Sequence, residues 1–478
     1  MNQAPHDFAL TRRAFLARYA GGLGSLALAH LLSADRVGTA AEDSSSPAGP
    51  LAPQAPHHTP KAKSVICLFQ HGGPSQMDLF DAKPELTKHH GKPYPGRLEA
   101  HFHTQVGKLL ASPFRFRKSG RSDMELSELL PHTARIADDL TLVRSMVTDS
   151  VDHEAALRMI HTGKVFAGRP AWGAWVMYGL GAPRHDLPAY VVLSDPGGLP
   201  VDGPNNWSSG FLPAVYQGVP FRASGVAVAN LQPPPDVPPD ARRNQLQLLN
   251  ELNAHHLQRH PRNAELEGRI SNYELAARMQ TAVPSVLDIS RETEETHRLY
   301  GLDNPKTAEY GRRCLLARRL VEQGVRFVQI FLAGQPWDTH SKNAENLKNL
   351  CGRTDQPSAA LVTDLKRRGL LDSTIVLWTG EFGRLPVSQG PDGRDHNRHA
   401  FSLWLAGGGF KSGHVHGGTD DFGYQATQDK VRVVDLQATL LHALGLDHER
   451  LVYPHAGRDD SLTDVGVTQA QVIPELLA

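Results

Sequence analysis

The sequence predicts an α/β fold: a mostly parallel sheet sandwiched by helices, with a helical insertion. Three observations carry that expectation. Short apolar, β-branched runs recur along the chain, the segments between them have helical spacing, and polar ligand-type residues follow directly on the ends of the runs. The first run, SVICLFQ, holds five consecutive apolar residues, VICLF, instead of alternating, as a strand covered on both faces requires.

That first strand, Ser64 to Gln70, stops at His71-Gly72-Gly73-Pro74-Ser75, a glycine turn of the kind at which α/β sheets place ligands. Leu126 to Asp139 has helical spacing and leads into a second strand, Leu140 to Met146. Ser150 to Thr162 reads as a helix closed by Gly163, Pro170 to Gly179 as a tryptophan-rich helix, and Ala189 to Leu193 as a strand. Residues 195–240 are rich in Pro and Gly (PGGLP, LQPPPDVPPD), and long loops of this kind serve as lids or binding surfaces. Arg242 to Leu299 carries long helical patterns, so residues 195–300 form a loop-rich and helical insertion. Alternation then returns: helix Ala308–Gln323, strand Arg326–Leu332, helix Ser358–Arg368, strand Ser373–Trp378, strand Phe401–Leu405 and the mainly helical Val433–Leu444. Such alternation implies parallel strands joined by crossing helices.

The chain's 478 residues carry equal numbers of acidic and basic side chains, 50 each, which argues against nucleic acid as a partner because phosphate binding needs a basic surface. Three cysteines, Cys67, Cys314 and Cys351, are too few for a disulfide framework, and Cys67 lies in an apolar run as a core residue would. The amino terminus reads Leu10-Thr11-Arg12-Arg13-Ala14-Phe15-Leu16 followed by a short Gly/Ala-rich apolar stretch, the pattern of a twin-arginine (Tat) export signal. The expected division is therefore a signal peptide over 1–40, a disordered Pro/Ser/Ala-rich linker over 41–61 and a folded domain over 62–478, located in the periplasm or outside the cell. No later segment has the run of apolar residues that a membrane span needs.

The chain has 25 histidines, many of them in segments that follow strand ends. His71 follows the first strand, Asp338 and His340 follow VRFVQIFLAG, Glu381 lies in TGEFGR, and His396 and His399 lie in DHNRH ahead of FSLWLAGG. In a parallel sheet all carboxyl strand ends share one edge, so these six residues are expected to converge as metal ligands. A mixed His and carboxylate set suits Zn, Mn or Fe; calcium, which prefers an all-oxygen cage, fits less well.

Several of these segments resemble motifs of the alkaline phosphatase and sulfatase superfamily. SMVTDSVDHEAALRMIHTG is similar to the helix that carries the nucleophile there, LDSTIVLWTGEFGR to its strand and ligand turn, WDTHS to its Asp-and-His motif, and VVDLQATLLHALGLD to its terminal helix. More closely, residues 60–467 resemble the Tat-exported, sulfatase-like domain-of-unknown-function family 1501, with GEFGR, the DHNRH run and LTDVG as supporting motifs. The resemblance implies an alkaline phosphatase-like fold and a divalent-metal-dependent hydrolase of phosphate or sulfate esters. Its substrate would be a small anionic ester or a sulfated or phosphorylated glycan. The alternative is a degenerate, non-catalytic member that binds metal and serves as a binding or scaffold protein. Counting back from Thr162-Gly163 puts His153 at the nucleophile position, where no cysteine stands, so a formylglycine mechanism is not supported. The candidate catalytic residues are His153 as general acid or base, Ser150 as a neighbouring hydroxyl, and Arg384 as a fork for the anionic ester.

Overall fold

A computed structural model describes residues 50–223, 228, 237–260 and 263–478. The proposed signal and the first part of the proposed linker lie outside the described residues. Residues 50–61, expected as disordered linker, instead lie along the domain: Gln54 N donates to Leu180 O at 3.1 Å and His58 N to Gly445 O at 3.2 Å. The prolines that read as disorder keep this segment extended against the surface.

The central sheet has nine strands: β1 (Ser64–Phe69), β2 (Leu140–Val147), β3 (Tyr190–Ser194), β4 (Val219–Arg222), β5 (Phe327–Ile330), β6 (Thr374–Thr379), β7 (Phe401–Ala406), β8 (His414–His416) and β9 (Val431–Arg432). Their order is β8-β2-β7-β6-β1-β5-β3-β4, with β9 also paired to β2. All pairs are parallel except those that β7 makes with β2 and β6. The exception has a simple cause. A parallel return needs a crossover across a sheet face, and residues 380–400 contain no helix to make one. The chain therefore stays on the carboxyl edge from the end of β6 to the start of β7. β4 arises within the expected insertion and extends the sheet at its edge, where Pro220 is tolerated.

Seven helices are relevant here: α1 (His153–Thr162), α2 (Trp172–Leu180), α3 (Pro239–Arg259), α4 (Ala264–Leu287), α5 (Ala308–Glu322), α6 (Asn343–Arg367) and α7 (Val433–Ala443). β1 shows how they cover the sheet. Val65, Cys67 and Phe69 face a core with α1, α2 and α7, whereas Ile66 and Leu68 face a second core with α4, α5 and α6. Both faces are buried, which is why this strand reads as one continuous apolar run. All three cysteines are free and buried, and burial pushes their thiols up.

Two expected elements differ. Leu126–Asp139 is no helix: Met124–Ser127 pairs with Phe116–Ser119 in a hairpin, and a 3-10 turn spans Thr133–Asp139. Leucines spaced as on a helix belong here to two elements, and Pro131, which has no N–H to donate, lies between them. The helix expected from Ser358 starts at Asn343 and runs through Pro357, because Leu347, Leu350 and Cys351 are buried on it.

Candidate metal centre

Asp338 is the hub of a cluster at the carboxyl edge. It lies in the loop after β5, and its carboxylate meets groups from three other segments. His340 Nε2 is 2.9 Å from Oδ1, His396 Nε2 3.2 Å from Oδ1, and His153 Nε2 3.3 Å from Oδ2. Arg384 Nη2 donates to Oδ1 at 2.7 Å, and Gln335 Nε2 to Oδ2 at 3.0 Å. Glu381, from the turn after β6, accepts at Oε1 from Gly72 N at 2.8 Å and from His153 Nδ1 at 2.7 Å. Close backbone approach makes this packing possible. A Cβ on Gly72, whose φ is +110°, would overlap the backbone nitrogen of Asp338, and one on Gly393 would overlap the carbonyl of His340.

The hydrogen bonds fix the tautomers of two histidines. His396 Nδ1 is 2.6 Å from Val151 O, an oxygen that can only accept, so that nitrogen carries the proton. Gln389 donates through Nε2 to Gln105 Oε1 at 2.8 Å, which leaves its own Oε1 to accept from His340 Nδ1. In the neutral rings, both Nε2 atoms then present bare lone pairs to the carboxylate of Asp338. Two acceptors at this distance repel unless a proton or a cation lies between them. Burial lowers the His396 pKa to about 4, so at neutral pH the extra proton is absent. At His153 burial alone would also lower the pKa, but the carboxylates of Asp338 and Glu381 outweigh it and raise it to about 9. Asp338 is held far below the usual carboxylate range: burial would raise it, and the three histidines and Arg384 reverse that.

The donor set fits a divalent cation. Ligand atoms of His153, Asp338 and His396 all lie within 4.8 Å of one another, as do those of His340, Asp395 and His396. Glu381 Oε2 is buried without a hydrogen-bond partner, and so are both ring nitrogens of His71. A cation at the cluster would give Glu381 Oε2 the partner it lacks. Nitrogen and carboxylate donors lie together, with carbonyl and amide groups orienting the rings from behind, as in metal sites whose ligands are held by outer partners.

Asp338, His340, Glu381, His396 and His153 come together. His71 follows β1 as expected, but its ring packs 4.6 Å from Phe69 and 5.2 Å from Phe331, and no hydrogen bond ties it to the cluster. His399 is turned away, its Nε2 pairing with Glu99 at 2.7 Å. Ser150 Oγ accepts from Asp152 N at 3.0 Å in the turn before α1 and makes no hydrogen bond to the cluster. Arg384 is not a free fork for an anion. It is fully buried, and Nε donates to Gly73 O at 2.9 Å and Nη1 to Arg394 O at 3.0 Å, while Nη2 donates to Gly72 O, Trp337 O and Asp338. Arg398 in the DHNRH run and Arg158 on α1 are also engaged, Arg398 with Glu99 and Arg158 with Asp202 and Glu154. Asp395 and the orienting pair Gln389–Gln105 were not picked out. Asp395 stands in the DHNRH run, whereas nothing in the sequence marks either glutamine.

Residues 62–477 match the model of a family described as protein of unknown function (DUF1501). The chain matches no curated protein. Among solved structures it is similar to a phosphonate monoester hydrolase from Silicibacter pomeroyi, with TM-score 0.31 and 12% identity over 86% of this chain and 77% of that one. It is also similar to a Pseudoalteromonas sulfatase, with TM-score 0.34 and 11% identity over 81% and 68%. A Vibrio parahaemolyticus protein of the alkaline phosphatase superfamily aligns with TM-score 0.32 and 10% identity over 85% and 72%.

Proposed function

The chain belongs to the DUF1501 family, and from its own site we propose that it is an exported, metal-dependent hydrolase of phosphate or sulfate esters. The observation that carries this reading is the meeting of His153, Asp338, His340, Glu381 and His396, from segments far apart in sequence, at the carboxyl edge of one sheet. That edge is where open α/β sheets place their chemistry. Asp338, His340 and His396, with Glu381, would hold the cation, and the histidine-rich set favours Zn or Mn over Ca. The bound cation would supply Lewis acidity toward an ester oxygen. The ester class, and a glycan as its carrier, rest on the motif resemblance described above.

The chain's own residues have separable tasks. Val151 O and the amide of Gln389 keep His396 and His340 in the tautomer that exposes Nε2. Arg384 fixes Asp338 while balancing its charge. His153, whose pKa the two carboxylates beside it raise, is placed to hand a proton to a leaving oxygen. Among the described residues no serine or threonine hydroxyl hydrogen-bonds to Asp338, Glu381, His153, His340 or His396, so direct attack by water is the pathway this arrangement supports. Export rests on the Arg12-Arg13 pattern, and no described helix is long and apolar enough to cross a membrane.

The test is turnover of generic aryl phosphates, sulfates and phosphonates by natively exported protein. The expected result is activity that a chelator removes, that Zn or Mn restores, and that His340→Ala lowers more than roughly 100-fold, beyond the usual effect of losing an orienting partner. Activity indifferent to chelation, or none with any of these esters, would overturn the proposal.

One observation favours a second reading, a non-catalytic binding protein. The buried guanidinium of Arg384 already neutralises Asp338, as a cation would. Under that reading the protein remains fully folded and free of metal when purified without chelator.

A further inference from the structure

The cluster opens to solvent on one side. Asp338, His153 and His396 have side chains that are 11%, 11% and 3% exposed, whereas that of His340 is 27% exposed. His340 is thus the most exposed of the four, and Phe102 stands beside it: the two rings are 5.2 Å apart and perpendicular. Phe102 is itself 38% exposed. Its neighbour His101, also exposed, stacks on His396 at 5.0 Å.

The segment bearing these rings is tied to the cluster's supports. Phe102 N donates to Asp395 Oδ2 at 2.9 Å, and Gln105 Oε1 accepts from Gln389, the residue that orients His340. Glu99 anchors the segment's start to Arg398 and His399. A ring held in place by four such ties and left facing water gives a ligand a flat apolar surface at little entropic cost.

The geometry points to Phe102 as the specificity-determining residue of this site, selecting esters whose anionic group sits on a ring, aryl or pyranose, over those on a small alkyl group. The inference rests on the hydrolase reading for the identity of the anion, but it concerns binding and is testable without turnover. The anion would lie at the cluster and the ring against Phe102.

The experiment is calorimetric binding of phenylphosphonate and methylphosphonate to the full protein and to three variants. Phe102→Ala removes the ring, Phe102→Trp keeps one, and Phe166→Ala removes a still more exposed phenylalanine in another loop. The wild type should prefer phenylphosphonate about tenfold, the scale of one aromatic contact. Phe102→Ala should lose the preference with methylphosphonate affinity unchanged, while Phe102→Trp and Phe166→Ala keep it. A preference that survives in Phe102→Ala, or no preference or no binding in the wild type, overturns the inference. Ring-dependent binding without hydrolysis of any ester would instead sink the hydrolase reading alone.

Discussion

At the scale of single residues, cation binding turns on which nitrogen of each histidine carries a proton. His340 and His396 are useful to a cation because their outer nitrogens are tied to protein acceptors and their inner ones are left bare. The support behind His340 is one side chain, Gln389, so Gln389→Leu should weaken metal affinity about 10–100-fold while leaving the cluster's ligands in place. Metal titration against a competing chelator checks this, and an unchanged affinity would show that the tautomer is fixed some other way. Legibility differs at this scale. Asp338, His340, Glu381 and His396 could be read because each follows a recognisable strand or motif. His399 misled because it shares the DHNRH run, yet the chain turns outward there and Glu99 holds it. Arg384 misled because an exposed and a buried arginine look alike in sequence, and only the fold shows that carbonyl oxygens occupy its donors.

At the scale of elements, two connections keep the ligands in register. His153 is the first residue of α1, and Asp152 caps that helix by accepting from Ala155 N at 3.1 Å. Asp152→Ala should cost about 1 kcal/mol in stability. Its effect on activity should be larger than that loss explains, because fraying the first turn moves His153. A denaturant melt and an assay on the same sample separate the two. The second connection is the pair Asp78–Arg394, both side chains fully buried, which joins the turn after β1 to the segment carrying Asp395 and His396. Burial would raise the Asp78 carboxyl, but Arg394, with hydrogen bonds from Ser75 and Asn343, holds it below its usual value. A depressed carboxyl stabilises the fold fully above the ordinary aspartate value and loses that contribution as pH falls through the folded one. Asp78→Asn should therefore be less stable at pH 7, by up to about 3–5 kcal/mol for a broken buried pair. It should also lose less stability than the wild type between neutral pH and about pH 3, since the neutral amide cannot titrate. Parallel pH slopes in the two proteins would refute the assignment. Asp78 is an acidic residue following a strand, which in sequence reads like a ligand, and its buried guanidinium partner is more than 300 positions away.

At the scale of the whole molecule, the alternation of apolar runs and helical segments was enough to read an α/β sheet covered on both faces, since β1, β5 and β6 are buried on both sides and their sequences say so. The reversal of β7 was not legible, because direction depends on whether the connection crosses the sheet, and apolar content is blind to that. The same reversal matters for function: it keeps residues 380–400 on the ligand edge and delivers Glu381, Arg384, Asp395 and His396 from one continuous loop. The most direct measurement is elemental analysis of the natively exported protein beside Asp338→Asn, both purified without chelator. The account expects about one or two divalent ions per wild-type chain, of the Zn or Mn kind, and a large loss in the variant. A wild-type protein that is folded yet carries less than roughly a tenth of an ion per chain, or a variant that retains the full complement, would contradict it.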